Sequence, residues 1–269
     1  MTIVLLVGCG KMGGALLSGW RANRVASHFA VVEPMSAGTA AFAGAADVSI
    51  AASFAELPES FRPDAIVMAV KPQAMAEAAP AYRALAESAV TLSIAAGTPI
   101  SFFERVFGPK AAIVRAMPNT PAAIGRGMSV LCPNAVVSPA QRQLAEKLMQ
   151  AAGVVDWIDD EGLMDAVTAL SGSGPAYVFH LIEAMAAAGE ALGLSPELAV
   201  KSALETVAGA GELARQATES PATLRQNVTS PGGTTAAALG VLMGDAGLGD
   251  LMTRAMTAAR DRGRELAKG

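Results

Sequence analysis

The sequence predicts an α/β fold in two parts: an N-terminal Rossmann-type parallel-sheet domain over residues 1–159, then an all-helical domain over residues 160–269. Three observations carry this. Short apolar runs alternate with helical segments through the first part, as in a doubly wound sheet. The first run, Val4-Leu5-Leu6-Val7, breaks into G-x-G-x-x-G at Gly8, Gly10 and Gly13, and a helical stretch rich in small residues follows. Beyond Asp159 and Asp160 the strand-like runs stop, and Ala-, Leu- and Met-rich segments at helical spacing take over.

In the opening motif the first glycine permits the turn, the second lets a diphosphate approach the backbone, and the third lets helix and strand touch. The helix start offers N–H groups and a partial positive charge to the phosphates. Ala30-Val31-Val32 reads as the second strand and ends at Glu33-Pro34. Glu33 stands 20 residues beyond Gly13, the offset at which a carboxylate accepts hydrogen bonds from the adenosine ribose and repels a 2′-phosphate. That favours NADH over NADPH. Two alternatives stay open: Glu33 as a solvated strand-end carboxylate, and a phosphate held by Lys11 or by the loop after Pro34. Val48-Ser49-Ile50 is the next strand, and Ser53 is a candidate N-cap for a short helix.

Ala65 to Val70 is apolar throughout, as a central parallel strand covered on both faces requires. Ligands of open α/β sheets bind beyond the carboxyl ends of the strands, so Val70, Lys71 and Pro72 belong to that crevice, unless Lys71 is simply a solvated lysine. One helix is expected from Pro72 to Ser88, then a buried strand running into Ser93-Ile94-Ala95-Ala96-Gly97, whose small residues leave room for a ring. An amphipathic helix over 100–107 precedes a strand over 112–117 that ends in Pro118-Asn119-Thr120-Pro121, a stiff loop offering amide and hydroxyl groups. Gly127 to Cys132 is a short strand. Ser138, Pro139 and Gln141 spell a capping box, and Val154 to Ile158 closes the sheet.

In the second part, Ser171-Gly172-Ser173-Gly174-Pro175 predicts a sharp break before a helix over 176–192 that is apolar on nearly every face. Such a helix calls for burial all round, and a domain this small needs a partner chain to supply it. His180 in that helix reads as a satisfied helical residue. Ser195-Pro196 and Ser220-Pro221 start further helices. Ser230-Pro231-Gly232-Gly233-Thr234-Thr235 brings backbone N–H groups and hydroxyls to a helix start, which suits a carboxylate; a plain helix cap is the alternative.

Composition limits the function classes. A net charge of −4 with no run of Lys or Arg argues against nucleic acid and anionic membrane as partners. Cys9 and Cys132 are the only cysteines and read as packing residues, with no ligand set for a metal; a reducing cytoplasm fits them. The first apolar run lacks the basic flank of a signal peptide, and no apolar stretch reaches about 18 residues. A mean hydropathy of +0.39 points to burial between subunits.

Taken together, Gly8-Cys9-Gly10-Lys11-Met12-Gly13, Val70-Lys71-Pro72, Ser93 to Gly97, Arg115 to Pro121, Ser171 to Tyr177 and Ser230 to Thr235 resemble the pyrroline-5-carboxylate reductases. The resemblance implies an interlocked homodimer built on the helical domain, with higher homo-oligomers left open. It implies an active site between one subunit's nucleotide domain and helices that include the partner's, and NAD(P)H-dependent reduction of 1-pyrroline-5-carboxylate to L-proline. By position, Thr235 would hydrogen-bond the ring nitrogen as the catalytic group, and Ser230, Gly233 and Thr234 would hold the substrate carboxylate. Gly8, Cys9, Gly10, Lys11, Met12, Gly13, Glu33, Ser53, Val70, Lys71, Pro72, Ala96 and Asn119 would bind the cofactor. Glu33-Pro34 departs from the polar or basic group that often suits NADPH at this place. The nearest alternative, a β-hydroxyacid dehydrogenase, needs a proton-shuttling lysine; Lys201 and Lys268 lack its surroundings.

Overall fold

A computed structural model describes residues 2–266; Lys268 lies outside them. The chain divides into two compact units, residues 1–172 with 260–269, and residues 173–259. This division does not coincide with the change of composition at Asp159 and Asp160. The first helical turns after the sheet, over 161–172, pack with the sheet unit, tied to it by Glu161 and Ser171.

The first unit is an eight-stranded sheet: β1 (Ile3–Val7), β2 (His28–Val32), β3 (Val48–Ala51), β4 (Ala65–Met68), β5 (Val90–Ser93), β6 (Ile113–Met117), β7 (Gly127–Pro133) and β8 (Gly153–Trp157). Its order is β3-β2-β1-β4-β5-β6-β7-β8. The first six strands are parallel, but β7 runs antiparallel to β6 and β8 is parallel to β7, so the expected parallel sheet reverses direction near one edge. The cause is loop length. A parallel return needs a crossover of roughly a dozen residues or more, and residues 118–126 hold only a 3-10 turn over Thr120–Ile124.

Helices cover both faces: α1 (Lys11–Ala22), α2 (Ser36–Thr39), α3 (Pro72–Ala78), α4 (Arg83–Ala86), α5 (Ile100–Phe107) and α6 (Pro139–Gln150). Alternation along β1 sends Val4 and Leu6 into one core with Leu16, Leu17, Trp20 and Leu148, and Leu5 and Val7 into the other with Met75, Tyr82 and Phe103. Trp20 stacks on Phe29 at 5.9 Å and donates its indole N–H to the Leu148 carbonyl at 2.8 Å, which satisfies its one polar atom inside the core. The expected single helix over 72–88 is instead broken into α3, a 3-10 turn over Ala79–Tyr82, and α4. Pro80 is the reason: it has no N–H to donate, and its ring clashes with the preceding turn. Ser53 precedes a single 3-10 turn, and its hydroxyl makes no capping bond to the backbone. The capping box at Ser138 and Gln141 forms as the sequence spells it.

At the end of the first unit, α7 (Met164–Val167) widens into a π-turn over Thr168–Gly172. Thr168 and Ser171 return their hydroxyls to the carbonyls of Met164 and Val167. The expected sharp break is therefore a widened turn, with Ser173 still in the right-handed helical region.

The second unit contains α8 (Gly174–Ala191), α9 (Pro196–Gln216), α10 (Pro221–Asn227) and α11 (Thr234–Leu242), and α12 (Leu248–Leu266) starts within it. Ser195 and Ser220 cap α9 and α10 through the N–H groups of Leu198 and Thr223. α8 and α9 meet through small residues, Gly189 against Ala199. Burial of α8 all round is not met within the chain: only Ala186 is buried, and Phe179 is 60% exposed beside exposed Val178, Leu181 and Met185. His180, also exposed, pairs with Glu183 at 3.1 Å. Among the described residues no helix is long and apolar enough to cross a membrane.

The Trp20 site tests the packing of α1 and α6 on the sheet. Trp20→Ala is expected to cost about 3 to 5 kcal/mol, read as a lowered urea midpoint with the slope retained.

Candidate functional site

The strand order reverses at β1 and β4, and there the chain builds its first candidate site. Gly8 follows β1 at φ +91°, which a side chain would strain, and a Cβ on it would lie 2.9 Å from the Ala69 carbonyl group. That close approach brings Val70 beside the turn. Gly13 is buried against the Gly8 carbonyl oxygen, 2.3 Å from where a Cβ would stand. Gly10, the N-cap of α1, is exposed, and a Cβ on it would meet no protein atom within 4 Å. The three glycines thus serve different ends. Gly8 turns the chain, Gly13 lets helix and strand touch, and Gly10 leaves an open approach to the helix start.

The first α1 hydrogen bond joins the Gly14 N–H to the Gly10 carbonyl at 2.8 Å, so the N–H groups of residues 11–13 point out of the helix end. Lys11 is exposed there, and Met12 is half-buried against the core. An open approach over a glycine at a helix start fits a dinucleotide diphosphate.

Glu33, half-buried after β2, is joined directly to this turn. Its Oε2 accepts the Cys9 N–H at 2.7 Å and its Oε1 accepts the Met35 N–H at 3.0 Å. Cys9 is buried, and burial first, then the Glu33 charge, pushes its thiol up to about 11. Burial likewise raises Cys132 to about 11, so both thiols stay protonated and unreactive near neutral pH.

Lys71 and Pro72 sit at the start of α3, exposed, with Pro72 in the first turn as its missing N–H allows. Ser53 after β3 and Ala96 after β5 are exposed at the carboxyl ends of parallel strands; Ser53 is in reach of Glu56 at 3.5 Å. Asn119, after β6, spends its side-chain amide on the protein. Its Oδ1 accepts the Met128 N–H at 2.9 Å and its Nδ2 donates to the Ser171 carbonyl at 3.1 Å, linking β6, β7 and the π-turn. Thus Gly8 to Gly13, Glu33 and Val70 are in direct contact, whereas Ser53, Ala96 and Asn119 share only the same end of the sheet.

Sequence reasoning missed Glu161. Its Oε1 accepts from the buried Arg115 at 2.8 Å and from the Ile100 N–H at 2.9 Å, fixing the start of α5 behind the Ala95–Pro99 loop. Its only sequence signal is an acid shortly after the last strand, which is no signal for a partner 46 residues away.

The second candidate site lies wholly in the second unit. Gly232 at φ +71° turns the chain, and the Gly233 N–H donates to the Ser230 carbonyl at 3.0 Å. The first α11 bond runs from the Ala237 N–H to the Gly233 carbonyl at 3.1 Å, leaving the N–H groups of residues 234–236 at the helix end. Thr235 is half-buried there, and Ser230 and Thr234 are exposed.

The doubly wound sheet and its glycine turn define the class: a Rossmann-type fold with a dinucleotide-binding turn. A family model described as NADP oxidoreductase, coenzyme F420-dependent, matches residues 2–97, and one described as pyrroline-5-carboxylate reductase dimerisation matches residues 161–266. A pyrroline-5-carboxylate reductase of Pseudomonas aeruginosa is 42% identical over 267 residues, 98% of this chain and 97% of that one. A solved pyrroline-5-carboxylate reductase of Coxiella burnetii superposes with a TM-score of 0.90 at 34% identity, covering 98% of this chain and 97% of that one. A Plasmodium falciparum pyrroline carboxylate reductase with NADP bound gives a TM-score of 0.82 at 29% identity, covering 99% and 98%. The chain belongs to the pyrroline-5-carboxylate reductase family.

The glycines separate binding from folding. Gly10→Ala is expected to keep the wild-type melting temperature but to weaken dinucleotide binding at least tenfold by titration. Gly13→Ala is expected to lower the melting temperature, because α1 must move off β1.

Proposed function

We propose that this protein reduces the C=N bond of 1-pyrroline-5-carboxylate to give L-proline, the last step of proline biosynthesis, with the reduced nicotinamide of NAD(P)H supplying the hydride when bound. The observation that carries the reading is the Ser230–Thr235 turn: outward N–H groups at a helix start beside hydroxyls, a chemistry made for a small carboxylate. Residues 1–159 serve as the dinucleotide domain and 160–269 as the substrate and dimerisation domain. Ser230, Gly233 and Thr234 hold the substrate carboxylate. Thr235 orients the ring nitrogen through its hydroxyl, so that the imine carbon presents one face. Gly8 to Gly13 take the diphosphate. Glu33, Ser53, Val70, Lys71, Pro72, Ala96 and Asn119 complete the cofactor side, Asn119 by fixing its neighbours.

Imine reduction needs orientation and exclusion of water more than a strong general acid, and hydroxyl and backbone groups suffice for that. NADH is the preferred donor in this reading: the Glu33 carboxylate is fixed at the strand end, and no Lys or Arg occurs between it and Asp47 to neutralise a 2′-phosphate. The protein acts as an interlocked homodimer in the cytoplasm, its exposed α8 surface covered by the second copy.

Wild-type kcat/KM is expected to be at least tenfold higher with NADH than with NADPH. Thr235→Ala should lower kcat/KM for pyrroline-5-carboxylate by about 5- to 150-fold, the loss of roughly 1 to 3 kcal/mol of transition-state binding, with KM for the dinucleotide unchanged. Unaltered steady-state kinetics in that variant would reject the role.

A further inference from the structure

An acidic side chain at the end of β2 is usually assigned to the sugar of a dinucleotide, but here the protein's own backbone also engages it. Both Glu33 oxygens accept backbone N–H groups, from Cys9 at 2.7 Å and Met35 at 3.0 Å, so the carboxylate is held at two points. The Cys9 bond is charge-assisted, about twice as strong as a neutral one. It acts on the residue between Gly8, at φ +91°, and Gly10, where the diphosphate approach lies. The other side of the same residue is also braced. Gly38 lies so close that a Cβ on it would stand 2.7 Å from the Cys9 carbonyl oxygen and 3.3 Å from Glu33 Cγ. Cys9 is therefore held from the β2 side at its N–H, with Gly38 packed close to its carbonyl, while its side chain is buried in the core below. A turn made of glycines has much backbone freedom to lose on ordering, and these contacts restrict it.

We propose that Glu33 is a positioning residue of the diphosphate-binding turn, acting through the Cys9 N–H to hold residues 8–10 in their binding conformation for any dinucleotide, whatever its sugar carries. Each carboxylate oxygen keeps a further lone pair, so ordering the turn and meeting a ribose hydroxyl are separable roles of one side chain. Removing the carboxylate therefore weakens NADH and NADPH alike through the turn, whatever it does to the ratio between them.

The proposal rests on the glycine turn being the diphosphate site and not on the preference for NADH. A dinucleotide probe with 2′,3′-dideoxyadenosine in place of adenosine offers Glu33 no hydroxyl. Its dissociation constant is measured by titration against the full-length wild type, Glu33→Ala and Glu33→Gln. Glu33→Ala is expected to weaken the probe about tenfold. Glu33→Gln should fall between, because its carbonyl keeps the Cys9 bond while its NH2 faces the Met35 N–H. Independently of any ligand, amide hydrogen exchange at Cys9 should speed up in Glu33→Ala and stay slow in Glu33→Gln. Equal probe affinity in wild type and Glu33→Ala, or unchanged Cys9 exchange, would overturn the proposal. A wild type that favours NADPH would correct only the sugar reading above; a weakened probe in Glu33→Ala would then still support the positioning role.

Discussion

The glycine turn of this molecule depends on one contact at the van der Waals limit: α1 lies so close to β1 that Gly13 faces the Gly8 carbonyl with no room for a methyl group. From it follow the angle at which the helix start leaves the sheet and the exposure of Gly10 above it. Strand β4 presses on the same turn from the other side at Ala69, and Glu33 secures it from β2. Three neighbouring strands thus converge on residues 8–10, and the start of α1 is held by backbone geometry.

Much of the first unit was legible in the sequence because its signals are local. Apolar runs, the glycine spacing, Pro72 and the Ser138 box each act within a few residues of their own position. What escaped depends on distance. The reversal at β7 turns on the shortness of residues 118–126, a fact about where a strand must return. The break at Pro80 has a local cause, a residue with no N–H to donate inside an otherwise helical stretch. Asn119 was legible as a loop amide, but its partners, Met128 and Ser171, come from other segments. The Arg115–Glu161 pair joins residues 46 apart and leaves no periodic trace. The glycine and threonine turns were readable as candidate sites because small residues cluster there for a backbone reason.

The second unit shows the limit of patterning more sharply. An all-apolar helix demands cover, and pattern alone does not say from which chain. In α8 the cover from its own chain reaches little beyond Ala186, and α11 leaves Val241 77% exposed. Belonging to a family with a dimerisation region over 161–266 supplies the physical reason for retaining such faces.

Those uncovered helices have a thermodynamic corollary. When part of a hydrophobic core is completed only by a second copy, the unfolding equilibrium includes a dissociation step, and mass action makes the midpoint of thermal unfolding rise with protein concentration. Dilution would then act on this chain as a mild denaturant, so two laboratories working at nanomolar and micromolar protein would record different heat tolerance for the same sequence.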